Sequence, residues 1–310
     1  MSEQGPDRFT SAEIASQPEL WRRASAHAGE VIGLLPAHGE SVAVVGCGTS
    51  WFMAQAYASR REELGHGVTD AFTATEFPYA RDYDRVVAIS RSGTTTEIID
   101  VLARLRDEAG APSGGVTSTT LLTAVGTAPA ADLADATVVL DYADESSVVQ
   151  TRFATSALVL LLATLGDDVD SAATSATATL EAPVAASWTG ADQVTFLGTG
   201  WTIGLAHEAG LKLREASQQW AESYSAMEYR HGPIAIAQPG RVVWVLGPVP
   251  DGLAEQVAAT GAELVTSDEP PLAQLVLAQR LAVATALARG LDPDAPRHLT
   301  RSVVLDDEEQ

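Results

Sequence analysis

The sequence is poor in cysteine and in long apolar runs, and each shortage excludes a class of protein. Cys47 is the only cysteine among 310 residues, so the chain forms no internal disulfide and no cysteine-based metal cluster. The N-terminal residues lack a basic start and an apolar core, which argues against a signal peptide. No run approaches the roughly 18 apolar residues of a membrane span. We therefore expect a cytoplasmic protein with no membrane partner.

Positive charge is also scarce. The chain carries 19 Lys+Arg against 41 Asp+Glu, a formal net charge of −22. Nucleic acids and acidic membrane surfaces are bound through a basic footprint, so this charge argues against both as partners. A phosphorylated small molecule stays compatible, because a local site can be positive inside an acidic protein. The histidines show no metal-ligand spacing, and we expect neither a metal nor an organic cofactor.

Short apolar runs alternate with helical patterns along the whole chain. This alternation indicates parallel sheets covered by helices on both faces, so the predicted fold class is α/β. The predicted strands are 41–46, 84–90, 113–119, 136–142, 194–198, 241–247 and 262–265. The predicted helices are 50–64, 97–108, 149–165, 253–260 and 272–288, with a helical connection at 166–187. We expect an N-terminal helical segment at 1–30, a first lobe at 31–170 and a second lobe with the C-terminal tail at 171–310.

The pattern of the first strand and helix returns in the second half of the chain. The residues that match at one constant offset are Gly46, Gly48, Ser50 and Ala54 with Gly198, Gly200, Thr202 and Ala206. Both windows contain a strand, Gly-x-Gly, a hydroxyl residue and a helix, which we interpret as a duplication. The turn at 46–51 is neither a Walker loop nor a full dinucleotide fingerprint, because it has no lysine and no third glycine.

Five hydroxyl side chains surround Gly93 between a buried strand and a helix. They are Ser90, Ser92 and the three threonines at 94–96. A helix N-terminus offers unpaired N–H groups and the positive end of the helix dipole, and glycine lets a phosphate approach them. Helix capping is the ordinary alternative for such hydroxyls. Their density, at the carboxyl end of a parallel strand, favours a phosphate site.

Together these residues resemble the sugar isomerase (SIS) domain family. The closest resemblance is to the isomerase half of glucosamine-6-phosphate synthase and to related isomerases and deaminases. The segments that carry it are 46–50, 90–97, 207–236 and 292–303, and it covers the chain from about residue 30 to the end. The resemblance implies two SIS-type lobes, each a parallel sheet flanked by helices in a flavodoxin-like three-layer sandwich.

The resemblance also implies roles for individual residues. Glu215 is the implied base, and His231 is the residue implied to assist ring opening. The alternatives are a surface carboxylate for Glu215 and a capping or structural histidine for His231. Glu208 and Lys212 precede Glu215 by seven and three residues, which places all three on one helix face. Lys212 then either holds Glu215 ionised or faces the sugar. The expected substrate and phosphate contacts are Ser90, Ser92, Thr95, Ser50, Thr49, Gln150 and Glu208.

The chain departs from the synthase in two respects. The glutamine-hydrolysing domain and its N-terminal cysteine are missing, so we do not expect glutamine-dependent amination. The lysine that forms a Schiff base in the synthase is replaced by Arg301, which cannot readily form an imine but is able to bind phosphate or polarise an oxygen. Among nearby residues, Cys47 is expected to pack, Arg91 to be solvated, and His298 to be a secondary candidate.

We therefore expect a phosphosugar isomerase that acts on an amino hexose 6-phosphate. The expected reaction is aldose–ketose isomerisation, with or without deamination, through a glutamate proton shuttle. The alternatives are a non-catalytic sugar-phosphate sensor and a fructosamine-phosphate deglycase. Because such enzymes commonly complete the site with a histidine from a neighbouring subunit, we expect a homodimer or larger assembly.

Overall fold

The computed structural model describes residues 7–108 and 115–305. Their contacts divide them into two compact units that interleave along the chain. The serine-loop unit comprises the described parts of 20–144, 152–167 and 300–305. The lysine unit comprises residues 7–19, 145–151 and 168–299. The predicted lobes at 31–170 and 171–310 place the segment 145–151 and the end of the chain differently, and they stay a prediction.

The serine-loop unit contains a parallel sheet. Its strands are β1 (Val42–Gly46), β2 (Thr69–Thr73), β3 (Tyr83–Ile89), β4 (Val116–Thr123) and β5 (Ala136–Val139). They pair in the order β2-β1-β3-β4-β5. Its helices are α2 (Thr49–Glu63), α3 (Thr96–Glu108), α4 (Arg152–Ala163) and the part of α1 (Thr10–Val31) after residue 19. All five positions of β1 are buried, as expected for a parallel strand with helices on both faces of its sheet.

The lysine unit contains a second parallel sheet. Its strands are β6 (Gln193–Gly198), β7 (Ala221–Ser225), β8 (Arg241–Leu246) and β9 (Glu263–Val265), in the order β7-β6-β8-β9. Its helices are α5 (Val169–Glu181), α6 (Ala186–Thr189), α7 (Thr202–Ser217), α8 (Leu253–Thr260) and α9 (Pro271–Ala288). The two sheets confirm the predicted α/β class and its parallel strands flanked by helices.

Two strands, β2 and β7, escape prediction from the sequence. Both lie at the edge of their sheets and are largely half-buried. Their sequences, TDAFT and AESYS, contain Asp and Glu, which are rare in strands, and they show no apolar run. The beginnings of the predicted strand 113–119 and of the predicted segment 1–30 lie outside the described residues.

The turns after β1 and β6 have the same backbone shape. A Cβ on Gly46 would lie 2.6 Å from the backbone of the first turn of α2, and one on Gly198 would lie 2.4 Å from that of α7. Gly48 and Gly200 have φ angles of 53° and 58°, which favour glycine. The second sheet also repeats the order of the first four strands. These features support the predicted duplication, which remains a proposal.

One helix, α9, is long and apolar enough to cross a membrane when judged by length and composition alone. Its 18 residues have a mean hydropathy of 1.4. The apolar run is not continuous, because Gln274, Gln279 and Arg280 interrupt it. Within the described structure 67% of the helix is buried, as in a core helix, and a single helix of this kind is a weak indication of a membrane span.

Candidate functional site

Two turns of the serine-loop unit meet at one edge of its sheet. β1 and β3 pair so that Gly46 lies opposite Ile89, and both strands end there. Thr49 and Ser50 lie in the first turn of α2 and are each 5% exposed. The loop after β3, Ser90–Thr96, leads directly into α3. These predicted phosphate ligands therefore lie at the carboxyl ends of neighbouring strands, where open parallel sheets bind ligands.

The serine loop, residues 90–96, is shaped by its own hydroxyls. The Gly93 N–H donates to Ser90 Oγ at 3.2 Å, and the Thr94 N–H donates to Ser92 Oγ at 3.2 Å. Gly93 has a φ of 63°, and a Cβ there would lie 2.5 Å from the Ala128 Cβ, so the position requires glycine. Part of the hydroxyl set thus serves the loop backbone, as the capping alternative expects.

The end of the chain lies against the serine loop. Ser302 Oγ is 3.2 Å from Ser92 Oγ, 3.0 Å from Thr94 Oγ1 and 3.4 Å from Thr95 Oγ1. The tail, residues 300–305, therefore adds one more hydroxyl to the predicted phosphate site. Sequence reasoning does not identify Ser302, because no local spacing relates it to a loop about 210 residues earlier in the chain.

Two arginines hold this tail. Arg91 is 5% exposed, and its Nη2 donates to the Arg301 carbonyl at 2.7 Å. The expectation that Arg91 is solvated is therefore wrong, because its guanidinium is used to bind backbone. Arg301 forms an ion pair with Asp144, with 2.5 Å between Nη2 and Oδ1. In this structure Arg301 thus anchors the tail through both its backbone and its side chain.

Cys47 lies in the turn beside the serine loop. It packs against the apolar cluster formed by β1, β3 and α3. Burial, and then the negative charge of Glu97, raise the pKa of the Cys47 thiol to about 11. The thiol stays protonated at neutral pH, and a protonated thiol is a poor nucleophile. Across residues 7–108 and 115–305, no group of three or more His, Cys, Asp or Glu is arranged to hold a metal ion.

Helix α7 of the lysine unit carries Lys212, the only lysine in the chain. Its Nζ lies 2.5 Å from Glu215 Oε2 and 3.5 Å from Glu208 Oε1. The structure thus brings three predicted site residues together on one face of α7. The side chains of Lys212 and Glu208 are 1% exposed, whereas that of Glu215 is 19% exposed. Glu215 is therefore the member of this trio that solvent reaches best.

The charge of Lys212 is fixed by its surroundings. Burial alone would lower the pKa of Lys212, but the negative charges of Glu208 and Glu215 outweigh burial and raise it. Glu145 acts in the same direction as the two helical glutamates. Lys212 is consequently an ammonium group at neutral pH, and its Nζ lies 2.5 Å from the Glu215 carboxyl group.

The loop 145–151 of the lysine unit carries Gln150, which is half-buried. Glu145 accepts hydrogen bonds from the Thr151 N–H at 2.5 Å and from Thr151 Oγ1 at 2.8 Å. Glu13 of α1 accepts hydrogen bonds from the backbone of the same loop. Sequence reasoning singles out Gln150 but neither glutamate, because acidic residues are expected at the surface unless a structure shows them buried.

The histidines of the lysine unit differ in burial. His231 is exposed at the end of the turn Glu228–His231, and within the described residues no hydrogen bond or ion pair joins it to the trio on α7. His207 is half-buried, its Nδ1 lies 2.8 Å from Ser223 Oγ, and burial lowers its pKa. His298 is exposed and has a φ of 65°. The predicted role of His231 therefore stays a prediction.

The sequence of this chain is similar to a known domain family and to proteins of known name. The SIS domain family model matches residues 37–165. A Symbiobacterium thermophilum protein named glutamine–fructose-6-phosphate aminotransferase [isomerizing] is 31% identical over 371 residues, which cover 97% of this chain and 60% of that protein. The protein of the same name from Methanothermobacter thermautotrophicus is 27% identical over 351 residues, which cover 97% of this chain and 58% of that protein. The chain thus spans about three fifths of the length of these relatives.

Solved structures share the fold over nearly the whole chain. Glucosamine-6-phosphate deaminase from Thermotoga maritima has a TM-score of 0.81 at 24% identity and covers 96% of this chain and 99% of its own. Tagatose-6-phosphate ketose/aldose isomerase from Escherichia coli has a TM-score of 0.75 at 18% identity and covers 99% of this chain and 100% of its own. At these identities the likeness establishes the fold.

Proposed function

We propose that the chain, whose residues 37–165 match the SIS domain family model, is a phosphosugar isomerase. The proposed substrate is an amino hexose 6-phosphate or the corresponding ketose. The proposed reaction moves a proton between C1 and C2 through an enediol or enolamine, with or without loss of the amine. The chain from residue 171 onward is proposed to form a second lobe of the same type.

The serine loop is the proposed phosphate site. It combines closely spaced hydroxyls, the N-terminus of α3 and the neighbouring turn with Thr49 and Ser50. Such a set of short donors at helix N-termini suits a phosphate, which carries a charge of about −1.5 to −2 at neutral pH. The relatives' names, which refer to fructose 6-phosphate and glucosamine 6-phosphate, support a ligand of this class.

The observation that carries the proposed chemistry is the pair formed by Lys212 and Glu215. A general base has to be ionised and has to be reached by the proton that it removes. We assign the first condition to Lys212, whose buried ammonium group lies 2.5 Å from Glu215 Oε2. The 19% exposure of Glu215 meets the second. One such carboxylate is able to carry a proton from C1 to C2 on one face of the sugar.

The proposed mechanism forms no imine with the protein. Arg301 is paired with Asp144, and an arginine does not readily form an imine. Lys212 is protonated within its ion pairs. The charge that develops on the sugar oxygen needs a pre-organised donor. We assign ring opening to His231, contributed by the neighbouring subunit of a homodimer or larger assembly. The cytoplasmic location expected from the sequence stays a prediction.

Hydrogen–deuterium exchange into the sugar tests the proposal. In D₂O, the wild-type chain is expected to place deuterium at C2 of recovered glucosamine 6-phosphate or at C1 of the ketose product. Glu215→Gln keeps the shape and removes the base, so exchange and turnover should fall by about 10²–10⁴. Mass spectrometry of the recovered sugar, together with the affinity for the sugar phosphate, provides the two measurements.

Glu63→Gln in α2 is the matched control, since Glu63 also lies three residues after a basic partner but is 55% exposed. It should leave exchange unchanged. Sugar-phosphate binding without exchange or turnover in the wild type would identify a sensor and contradict the proposed isomerase. Deuterium exchange that persists in Glu215→Gln would show that another group transfers the proton.

A further inference from the structure

Two buried glutamates hold one short loop of the lysine unit. Glu13 is 3% exposed and Glu145 is 2% exposed. Taking a carboxyl group out of water is costly unless hydrogen-bond donors replace the water. The loop 145–151 supplies those donors to both side chains. The same loop carries Gln150, a predicted sugar contact, and Glu145 adds negative charge at Lys212.

Glu145 closes the loop on itself. Its Oε1 accepts from the Thr151 N–H at 2.5 Å and from Thr151 Oγ1 at 2.8 Å. One carboxylate oxygen therefore joins the first and the last residue of the segment. Thr151 is 1% exposed, so water is not available as a substitute acceptor if this carboxylate is lost.

Glu13 fixes the loop from helix α1. Its Oε1 accepts from the Ser146 N–H at 2.5 Å, and its Oε2 accepts from the Ser147 N–H at 3.3 Å and from Ser147 Oγ. Two consecutive backbone N–H groups and one hydroxyl thus converge on a single side chain. Such a cluster sets the direction of the backbone and not only the position of one residue.

The start of helix α1, up to residue 19, belongs to the lysine unit and is itself held by hydrogen bonds. Asp294 caps its start, accepting from the Thr10 N–H at 2.8 Å and from Thr10 Oγ1 at 2.6 Å. One turn after Glu13, Gln17 Nε2 donates to Gln279 Oε1 of α9 at 2.6 Å. Glu13 is therefore presented to the loop from a fixed support.

We propose that Glu13 and Glu145 are positioning residues that set the conformation of loop 145–151 and, through it, the sugar-binding position of Gln150. This inference rests on the proposed function. Neither glutamate needs to touch the substrate. Their loss should weaken recognition of the sugar ring more than recognition of its phosphate, because the serine loop is built from other residues.

We call the hold of Glu13 and Glu145 on loop 145–151 the clamp. Steady-state kinetics and binding measurements test it. Glu13→Gln and Glu145→Gln place an amide where a carboxylate accepted two or three hydrogen bonds. The KM for glucosamine 6-phosphate should rise about tenfold to a hundredfold with a smaller change in kcat. The Kd for inorganic phosphate should not change. Glu19→Gln, an exposed glutamate on the same helix, is the matched control and should leave all these quantities unchanged.

Amide hydrogen exchange tests the same loop without any substrate. In Glu13→Gln, the Ser146 and Ser147 amides should exchange at least about tenfold faster than in the wild type, whereas in Glu145→Gln the Thr151 amide should do so. If either variant fails to fold, Ser147→Ala removes one donor to Glu13 and provides a milder version of the same measurement.

The outcomes separate this inference from the proposed function. Unchanged amide exchange in the glutamine variants, or an unchanged KM, overturns the clamp. A wild-type chain that neither binds nor converts any hexose 6-phosphate overturns the proposed function, while faster amide exchange in the variants still shows the clamp. A KM effect of equal size in Glu19→Gln attributes the change to α1 as a whole and overturns the assigned role.

Discussion

Helices α2 and α7 carry the same basic–acidic pair in two different environments. At the offset of the repeat, Arg60 corresponds to Lys212 and Glu63 to Glu215. Arg60 and Glu63 lie 3.0 Å apart with side chains 23% and 55% exposed. Lys212 and Glu215 lie 2.5 Å apart with side chains 1% and 19% exposed. Spacing alone does not mark a reactive carboxylate, because only burial makes the charges depend strongly on each other.

The loops after β3 and β8 differ in the opposite sense. The loop in the serine-loop unit offers Ser90, Ser92 and three threonines, whereas the segment 247–252 reads GPVPDG and has no hydroxyl side chain. Its two prolines also lack an N–H to donate. The serine-loop unit therefore has the hydroxyl donors in this loop, whereas the lysine unit has the ion pair of Lys212 and Glu215 on α7.

The largest expected effect is on the free energy of unfolding, which Lys212→Met and Arg60→Met should lower by different amounts. Lys212→Met removes the cation from a buried cluster and leaves Glu208, at 1% exposure, without the ammonium 3.5 Å away. Breaking a buried pair from one side costs about 3–5 kcal/mol. Arg60→Met removes a more exposed pair and should cost about 1 kcal/mol. Urea unfolding of both variants at neutral pH measures the two losses.

Arg60 also contacts Asp167 at 2.6 Å, so the double variant Arg60→Met with Asp167→Asn serves as the control for that second partner. Equal losses for the two single variants would show that the buried position of Lys212 has no energetic meaning. The two helices would then share a sequence pattern without differing in the energy of their ion pairs.

The difference between the loops after β3 and β8 is tested by the affinity of the chain for a sugar phosphate. Ser92→Ala removes a hydroxyl that lies beside those of Thr94 and Ser302. Hydrogen bonds to charged groups contribute about 1.5–3 kcal/mol. Affinity for glucosamine 6-phosphate should therefore fall roughly tenfold to a hundredfold. Asp251→Asn, in the loop after β8, should have no effect. Titration calorimetry with the phosphorylated and the unphosphorylated sugar provides the measurement.

A Ser92→Ala variant that binds glucosamine 6-phosphate as tightly as the wild type would show that the hydroxyls only cap the loop. Ser302→Ala then separates the tail from the loop. Since Ser302 Oγ lies 3.0 Å from Thr94 Oγ1, its loss should also weaken binding if the tail hydroxyl donates to the phosphate.

Much of the fold follows from local patterns that are visible in the sequence. The buried strands β1, β3, β6 and β8 are nearly continuous apolar runs, and helix α8 ends at the residues that its apolar spacing predicts. The edge strands β2 and β7 are half-exposed and polar, so their pairing depends on a neighbouring strand rather than on their own composition.

The site is less predictable because its parts are distant in sequence. Helical spacing is enough to place Glu208, Lys212 and Glu215 on one face. Nothing local indicates that Arg91 binds the tail or that Glu13 binds a loop 133 residues later. Contacts of that range depend on the tertiary structure, which also decides which polar side chains are buried.

The smallest expected effect concerns His207, which corresponds to Gln55 in the repeat. Burial lowers the pKa of His207, so the folded chain binds its proton less readily than the unfolded chain. Stability is therefore lost as the pH falls below about 6.5, the ordinary histidine value, toward the lower folded pKa. His207→Gln makes the lysine unit resemble the serine-loop unit at this position and should remove that loss.

The difference between the two proteins should grow by no more than about 1.4 kcal/mol for each pH unit and should be absent above pH 7. Urea unfolding of wild type and His207→Gln at pH 7.5, 6.5 and 5.5 measures it, and other titrating groups cancel in the comparison. His231→Gln is the control, because it makes the same substitution at an exposed histidine of the same unit. Parallel stability curves for wild type and His207→Gln would mean that the hydrogen-bonding distance of 2.8 Å to Ser223 accommodates the protonated ring as well as the neutral one.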